Sequence, residues 1–264
     1  ENLSDMFTAV NEQVANAATQ IGTTPEAWNS TIFELVKTIS DEAVIPIAGI
    51  IITYVLCYEL ISMIMEKNNL HDLDTWMFMK FILKASIAVY LVNYTFDITM
   101  AVFELGQTVV SKAGDLGTAT LITAGDMGLE TMSIWQLLAL VMETAIVKFI
   151  IQVLFVFIML ILYSRMIMIY MYASVSPIPF ATLTNREWGN IGQNYIKGLL
   201  ALAFQGFFMF LCVGIYAALV RDFAQAGGFK ELQKALWTSV GYAALLVFML
   251  FKTDGISKSI FGAH

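Results

Sequence analysis

The sequence predicts an all-α, polytopic membrane protein with about five transmembrane helices, an amphipathic extracytoplasmic N-terminal region and one over-long third helix. Three observations carry that reading. Of 264 residues, 58% are hydrophobic and 13% charged, whereas an ordinary soluble domain has roughly 45–50% apolar and about 25% charged residues. The apolar residues fall into long runs parted by polar links. Residues 129–176 contain neither Gly nor Pro, the residues that interrupt helices. A span needs about 20 apolar residues, so this chain holds enough for five spans with a surplus.

Residues 1–43 form the predicted N-terminal region, and residues 44–264 the transmembrane domain. Leu3, Met6, Phe7, Val10, Val14, Ala17, Ala18 and Ile21 recur at three- and four-residue steps, which predicts an amphipathic helix that Gly22 stops. Thr24 then reads as an N-cap, with Pro25 at the first helical position and Glu26 in the acid-favouring first turn. The next stripe, Trp28, Ile32, Leu35, Val36 and Ile39, is again one-sided. Too polar to span, this region is expected to lie along the membrane or pack on a partner.

The spans are predicted at about 44–65, 76–103, 147–168, 195–220 and 236–251. The polar link 66–74 makes the first two a helical hairpin. Gly106, Gly114, Gly117, Gly125 and Gly128, with Asp115, Asp126 and Glu130, mark residues 104–133 as an exposed, glycine-punctuated segment with short amphipathic pieces. About 40 helical residues then extend roughly 60 Å, twice a bilayer core of about 30 Å, so the third helix must project or bend. Its driest part, Phe149 to Ser164, is bracketed by Lys148 and Arg165. Ser176-Pro177-Ile178-Pro179 ends it, and the polar stretch 182–194 precedes the fourth span.

Charge narrows the function. The net charge is −7, and no basic run suits tight nucleic-acid binding. Cys57 and Cys212 both sit inside apolar runs, which argues against a disulfide or a thiolate metal site; His71 and His264 are too few for a ligand cluster. No GxxxxGK[ST], GxSxG, HExxH or CxxC occurs, so the chain reads as no enzyme, with no catalytic residue, metal or cofactor. Its first residue is Glu, not Met, which points to a truncated or processed start. With the N-terminus outside, Lys and Arg number eight inside (Lys67, Lys80, Lys84, Arg165, Arg186, Lys197, Lys252, Lys258) against five outside (Lys37, Lys112, Arg221, Lys230, Lys234). That excess favours a cytoplasmic-membrane protein with N-terminus out and C-terminus in.

Ionisable groups inside the spans are the sharpest chemical signal, because such groups are costly in lipid and face a bundle interior or water. Glu59 and the pair Lys80 and Lys84, four apart on one helix face, fall at similar depth in the hairpin. An ion pair of Glu59 with Lys84 or Lys80 is one expectation; snorkelling of both lysines to the headgroups is the other. Asp97, Glu143, Lys148 and Arg165 are candidates for a wet lumen or a solvated interface. Gly198, Gly206, Gly214 and Ala218 form one small-residue ridge of the fourth span, suited to close packing within a subunit or between subunits. Fifteen Met and nineteen Phe serve helix packing and lipid contact.

Four stretches carry a resemblance: 24–29 (TPEAWN), 68–78 (NNLHDLDTWMF), 176–182 (SPIPFAT) and 188–195 (WGNIGQNY). Together they resemble the VirB-six/TrbL-like conjugal-transfer proteins of Gram-positive integrative and conjugative elements, in the same order of spans over nearly the whole chain. Members usually begin with additional apolar residues. The resemblance implies a membrane subunit of a type IV secretion system, a channel or scaffold working as a cyclic homo-oligomer, a homopentamer in related machines. Its partners would be itself, membrane lipids, other secretion subunits including cytoplasmic ATPases, and single-stranded DNA and relaxase in passage. Residues 66–75 and 176–194 would then be docking surfaces, with His71, Asp72, Asp74, Trp76, Pro177, Pro179, Arg186, Glu187 and Trp188 as contacts. Two other readings stand beside it: a small-ion or solute transporter using Glu59, Lys80, Lys84 and Asp97, and a structural hub without a lumen.

Overall fold

The computed structural model describes residues 2–65, 75–116, 133–221 and 228–263, and every regular element among them is helical. The link 66–74, with His71, Asp72 and Asp74, lies outside the described residues, as does 117–132 of the glycine-punctuated segment. Five stretches among those described are long and apolar enough to cross a membrane: Ser30–Met65, Thr75–Asn93, Ile134–Val175, Gly189–Val220 and Phe229–Phe261.

Helix α1 spans Asn2–Gly22. In α2, Pro25–Trp28, the Thr24 hydroxyl caps Ala27 N–H, and Asn29 Oδ1 caps Ile32 N–H to start α3, Ser30–Ile39. No break separates α3 from the first span. A π-helical turn at Ser40–Val44 carries the chain straight into α4, Ile45–Met65. Pro46 explains the turn: it has no N–H to return to Glu42, and Ile45 N–H reaches back to Ser40 instead.

The second span is shorter than expected. Helix α5, Thr75–Asn93, stops at a turn on Tyr94, and α6, Thr95–Leu116, follows. The Thr95 hydroxyl donates to the carbonyls of Leu91 and Val92, a local bond that competes with helical pairing at the break. Residues 104–116 are therefore the end of a helix, with Gly106, Gln107 and Val110 buried and Glu104, Leu105, Thr108, Ser111 and Lys112 exposed; Gly106 and Gly114 did not suffice to stop it. Helix α7, Ile134–Val175, runs 42 residues without interruption. Helix α8, Pro177–Thr182, has Pro177 at its first position. Helices α9, Gly189–Arg221, and α10, Phe229–Phe261, complete the chain.

The chain divides into two compact units. The first comprises Glu1–Thr23, Gly106–Arg165 and Phe204–Ser257. Its core joins Val147, Ile151, Phe155 and Ile158 of α7 to Met209 and Val213 of α9 and Leu246 and Leu250 of α10. Met6, Val10, Val14, Ala17 and Ile21 of α1 enter the same core, each 1–7% exposed. The apolar stripe of α1 thus covers the protein's own helices instead of a membrane surface. Removing a large apolar side chain from water contributes about 1.5–3 kcal/mol, whereas lipid-embedded helices associate through packing and hydrogen bonds.

The second unit comprises Thr24–Leu105, Met166–Ala203 and Lys258–His264. Phe96, Met100 and Phe103 of α6 meet Met166, Ile169, Tyr170 and Ala173 of α7 and Leu199 and Leu202 of α9. Trp28, Ile32, Phe33 and Val36 pack against this core, but Leu35 and Ile39 are 58% and 45% exposed. Phe33 takes the place the sequence gives to Leu35, because its ring meets Phe96 edge-on at 5.5 Å. A smaller core, with Ala48 and Ile52 of α4, Ala88 and Val92 of α5 and Ala181 of α8, wedges α8 between α4 and α5.

Candidate functional site

In the second unit, α4, α5 and the link between α8 and α9 border a half-open cavity of about 700 Å³. Its polar lining comes from Tyr58, Glu59 and Ser62 on α4, Lys80 and Lys84 on α5, and Arg186 and Glu187 on the link; Met63, Met77 and Phe81 supply the apolar side. Lys84 Nζ lies 2.5 Å from Glu59 Oε1, so these two residues meet across the hairpin. Both are partly exposed, Lys84 at 39% and Glu59 at 25% of the side chain. The pair is therefore worth far less than a fully buried one. Lys80 borders the same cavity but sets its ammonium over the Trp76 ring, 5.4 Å from the centroid.

The link is fixed by local chemistry. Asn185, itself 4% exposed, accepts from the N–H groups of Glu187 and Trp188 through Oδ1, a tight Asx-type turn. Trp188 stacks on Tyr54 and Tyr58, with centroids 5.4 and 5.7 Å away. Those tyrosines stand one helical turn apart and present one face of α4. The Tyr58 hydroxyl donates to Glu187 Oε1 at 2.8 Å. Sequence reasoning missed Tyr54, Tyr58, Ser62 and Asn185. A signal existed: positions 54, 58 and 62 form a polar ridge at four-residue steps in a mostly apolar helix.

Of the described residues expected at a docking surface, Pro177 alone is buried. Helix α8 packs into α4 and α5 through Phe180 and Ala181. Pro179 presents its carbonyl to Gly192 at the start of α9, where an added Cβ would stand 2.6 Å from that oxygen. Arg186 and Glu187 are exposed, Trp188 half-buried and Trp76 62% exposed.

The remaining ionisable candidates each have their own local surroundings. Asp97, in the first turn of α6, lies 3.6 Å from Lys37 of α3. Glu143 accepts from Gln233 of α10 at 2.5 Å. Lys148 borders a cleft of about 80 Å³ beside Met6, Val10 and Gln13 of α1. Arg165 is 3% exposed and lies against Gly206, where an added Cβ would stand 2.7 Å from Nη2. Along the small-residue ridge, Gly198 faces the Tyr172 ring and Gly206 faces Arg165, while Gly214 has nothing within 4 Å and Ala218 is exposed.

A family model described as TrbL/VirB6 plasmid conjugal transfer like protein matches residues 10–177. The match includes the stretches 24–29 and 68–78, ends inside 176–182 and stops short of 188–195. No curated protein and no solved structure matches the chain.

Proposed function

The chain belongs to the TrbL/VirB6-like conjugal-transfer family, and from that premise we propose that it is a channel or scaffold subunit of a conjugative type IV secretion system, working as a cyclic homo-oligomer. The observation that carries the proposal is the family match over residues 10–177, joined to five helices able to span a membrane. The coarser part follows from membership: a multi-pass membrane component of a conjugation apparatus that includes other subunits. The family is a structural one, and we assign no catalytic step.

The finer part rests on the following support. Gly214 and Ala218 leave a shallow, open notch on α9, flanked by Leu211 and Ile215 at 48% and 52% exposure. Small residues let a helix of another copy approach closely, which is how membrane helices associate without a hydrophobic driving force. Five copies is the number proposed. The excess of Lys and Arg puts the N-terminus outside and the C-terminus inside. A net acidic chain leaves few cations to hold phosphates, so DNA and relaxase would pass without tight binding.

The link carrying Arg186, Glu187 and Trp188 is the proposed docking surface for cytoplasmic ATPase-side partners. Replacing all three by Ala removes two exposed charges and the ring that pins the link to α4. Transfer frequency is expected to fall at least about tenfold, the scale of one lost hot-spot contact, with membrane insertion unchanged. A mating assay beside a membrane-fraction blot reads both. Unchanged transfer with normal insertion would remove the docking role.

The cavity favours one other reading. It gathers Glu59, Lys80 and Lys84, three of the four residues a small-ion or solute transporter would use. Asp97 pairs with Lys37 and does not line it. Uptake of a labelled ion by reconstituted vesicles, abolished by Glu59→Gln, would favour the transporter.

A further inference from the structure

We infer that the cavity bounded by α4, α5 and the link before α9 binds the headgroup of an anionic phospholipid, a phosphodiester carrying one negative charge. This is independent of the transfer role. Charge is the first reason. Among the described residues, Lys80, Lys84 and Arg186 line the cavity with Glu59 and Glu187, three cations to two carboxylates. Each carboxylate is already engaged in the wall, Glu59 with Lys84 and Glu187 with the Tyr58 hydroxyl. An entering phosphate gains charge-assisted hydrogen bonds, which are about twice as strong as neutral ones.

Shape is the second reason. About 700 Å³ is ligand-sized, and Met63, Met77 and Phe81 give the cavity an apolar side. Free phosphate has no use for that side, whereas the glycerol and first acyl carbons of a lipid do. Depth is the third. Trp76 opens α5, is 62% exposed and carries Lys80 over its ring. Tryptophan favours the headgroup level of a bilayer, and basic pockets between transmembrane helices receive anionic headgroups there. The wall is also preorganised. Trp188 is stacked on Tyr54 and Tyr58, and Asn185 holds the turn that carries Arg186.

The test is native mass spectrometry of the full chain in neutral detergent, titrated with phosphatidylglycerol, with phosphatidylcholine and with inorganic phosphate. The unmodified protein should retain phosphatidylglycerol at least about tenfold more tightly than phosphatidylcholine, as one or two charged hydrogen bonds require. The preference should vanish in a Lys80→Gln, Arg186→Gln protein and survive in Lys80→Arg. Equal retention of both lipids by the unmodified protein, a comparison that needs no variant, overturns the inference. So does a preference that persists in the double variant, or displacement of phosphatidylglycerol by equimolar inorganic phosphate, which would mark a site for the free anion.

Discussion

Gly192→Ala is expected to cost about 1–3 kcal/mol of stability, the usual penalty for forcing an extra methyl into a packed site. The new Cβ would lie 2.6 Å from Pro179 O and 2.6 Å from Leu183 Cγ. Leu183 can rotate, but the carbonyl belongs to the backbone of α8 and already accepts from the Thr182 hydroxyl at 2.7 Å. Shifting it means shifting α8, which is wedged against α4 and α5. The thermal midpoint of the detergent-solubilised protein reads the effect. Gly214→Ala is the control, since nothing lies within 4 Å there; it should leave stability unchanged or raise it by up to about 1 kcal/mol through helix propensity. Equal behaviour of the two variants would show that α9 does not approach α8 so closely.

Gly206→Val carries the second large effect. Its Cβ would meet the Arg165 guanidinium at 2.7 Å from Nη2 and 3.0 Å from Cζ. The far end of a flexible side chain ordinarily moves aside, but Arg165 is 3% exposed and has little room to move into. A loss of about 1–3 kcal/mol is expected. Arg165→Met on its own should be near neutral or stabilising, because an apolar side chain of similar length avoids the desolvation of a buried charge. Combined, the two changes should be milder than their sum by about 0.5–3 kcal/mol, the coupling of residues in contact. Strict additivity would separate Gly206 from Arg165.

The secondary structure was legible wherever a local rule decides it. Thr24, Pro25 and Asn29 set the α2 and α3 starts by capping chemistry, and the stripe at 6, 10, 14, 17 and 21 gave α1 its buried face. What covers that face was not legible, because an amphipathic stripe looks the same whether lipid, a partner or the chain itself lies against it. The break at Tyr94 was hidden too. Val92, Asn93, Tyr94 and Thr95 contain no Gly or Pro, and the Thr95 hydroxyl acts through two carbonyls that the spacing does not reveal. Depth matching brought Glu59 to the lysines, yet only the fold could choose Lys84 over Lys80 as its partner. Trp188 was visible as a polar-link tryptophan; its stacking on Tyr54 and Tyr58 depends on a contact about 130 residues away in sequence, which no local pattern encodes.

The small-residue ridge of α9 shows the same limit within one helix. Its four members share a four-residue step, but Gly198 and Gly206 are filled by Tyr172 and Arg165 of α7, while Gly214 and Ala218 stay open. The open half is the part available to another copy of the chain. Assembly into a ring is therefore the claim on which the functional proposal depends most. Counting subunits by native mass spectrometry in membrane-derived particles, with electron-microscopic projection of the same sample, tests it most directly. A ring of five copies around a central opening is the predicted result; a monomer would contradict it.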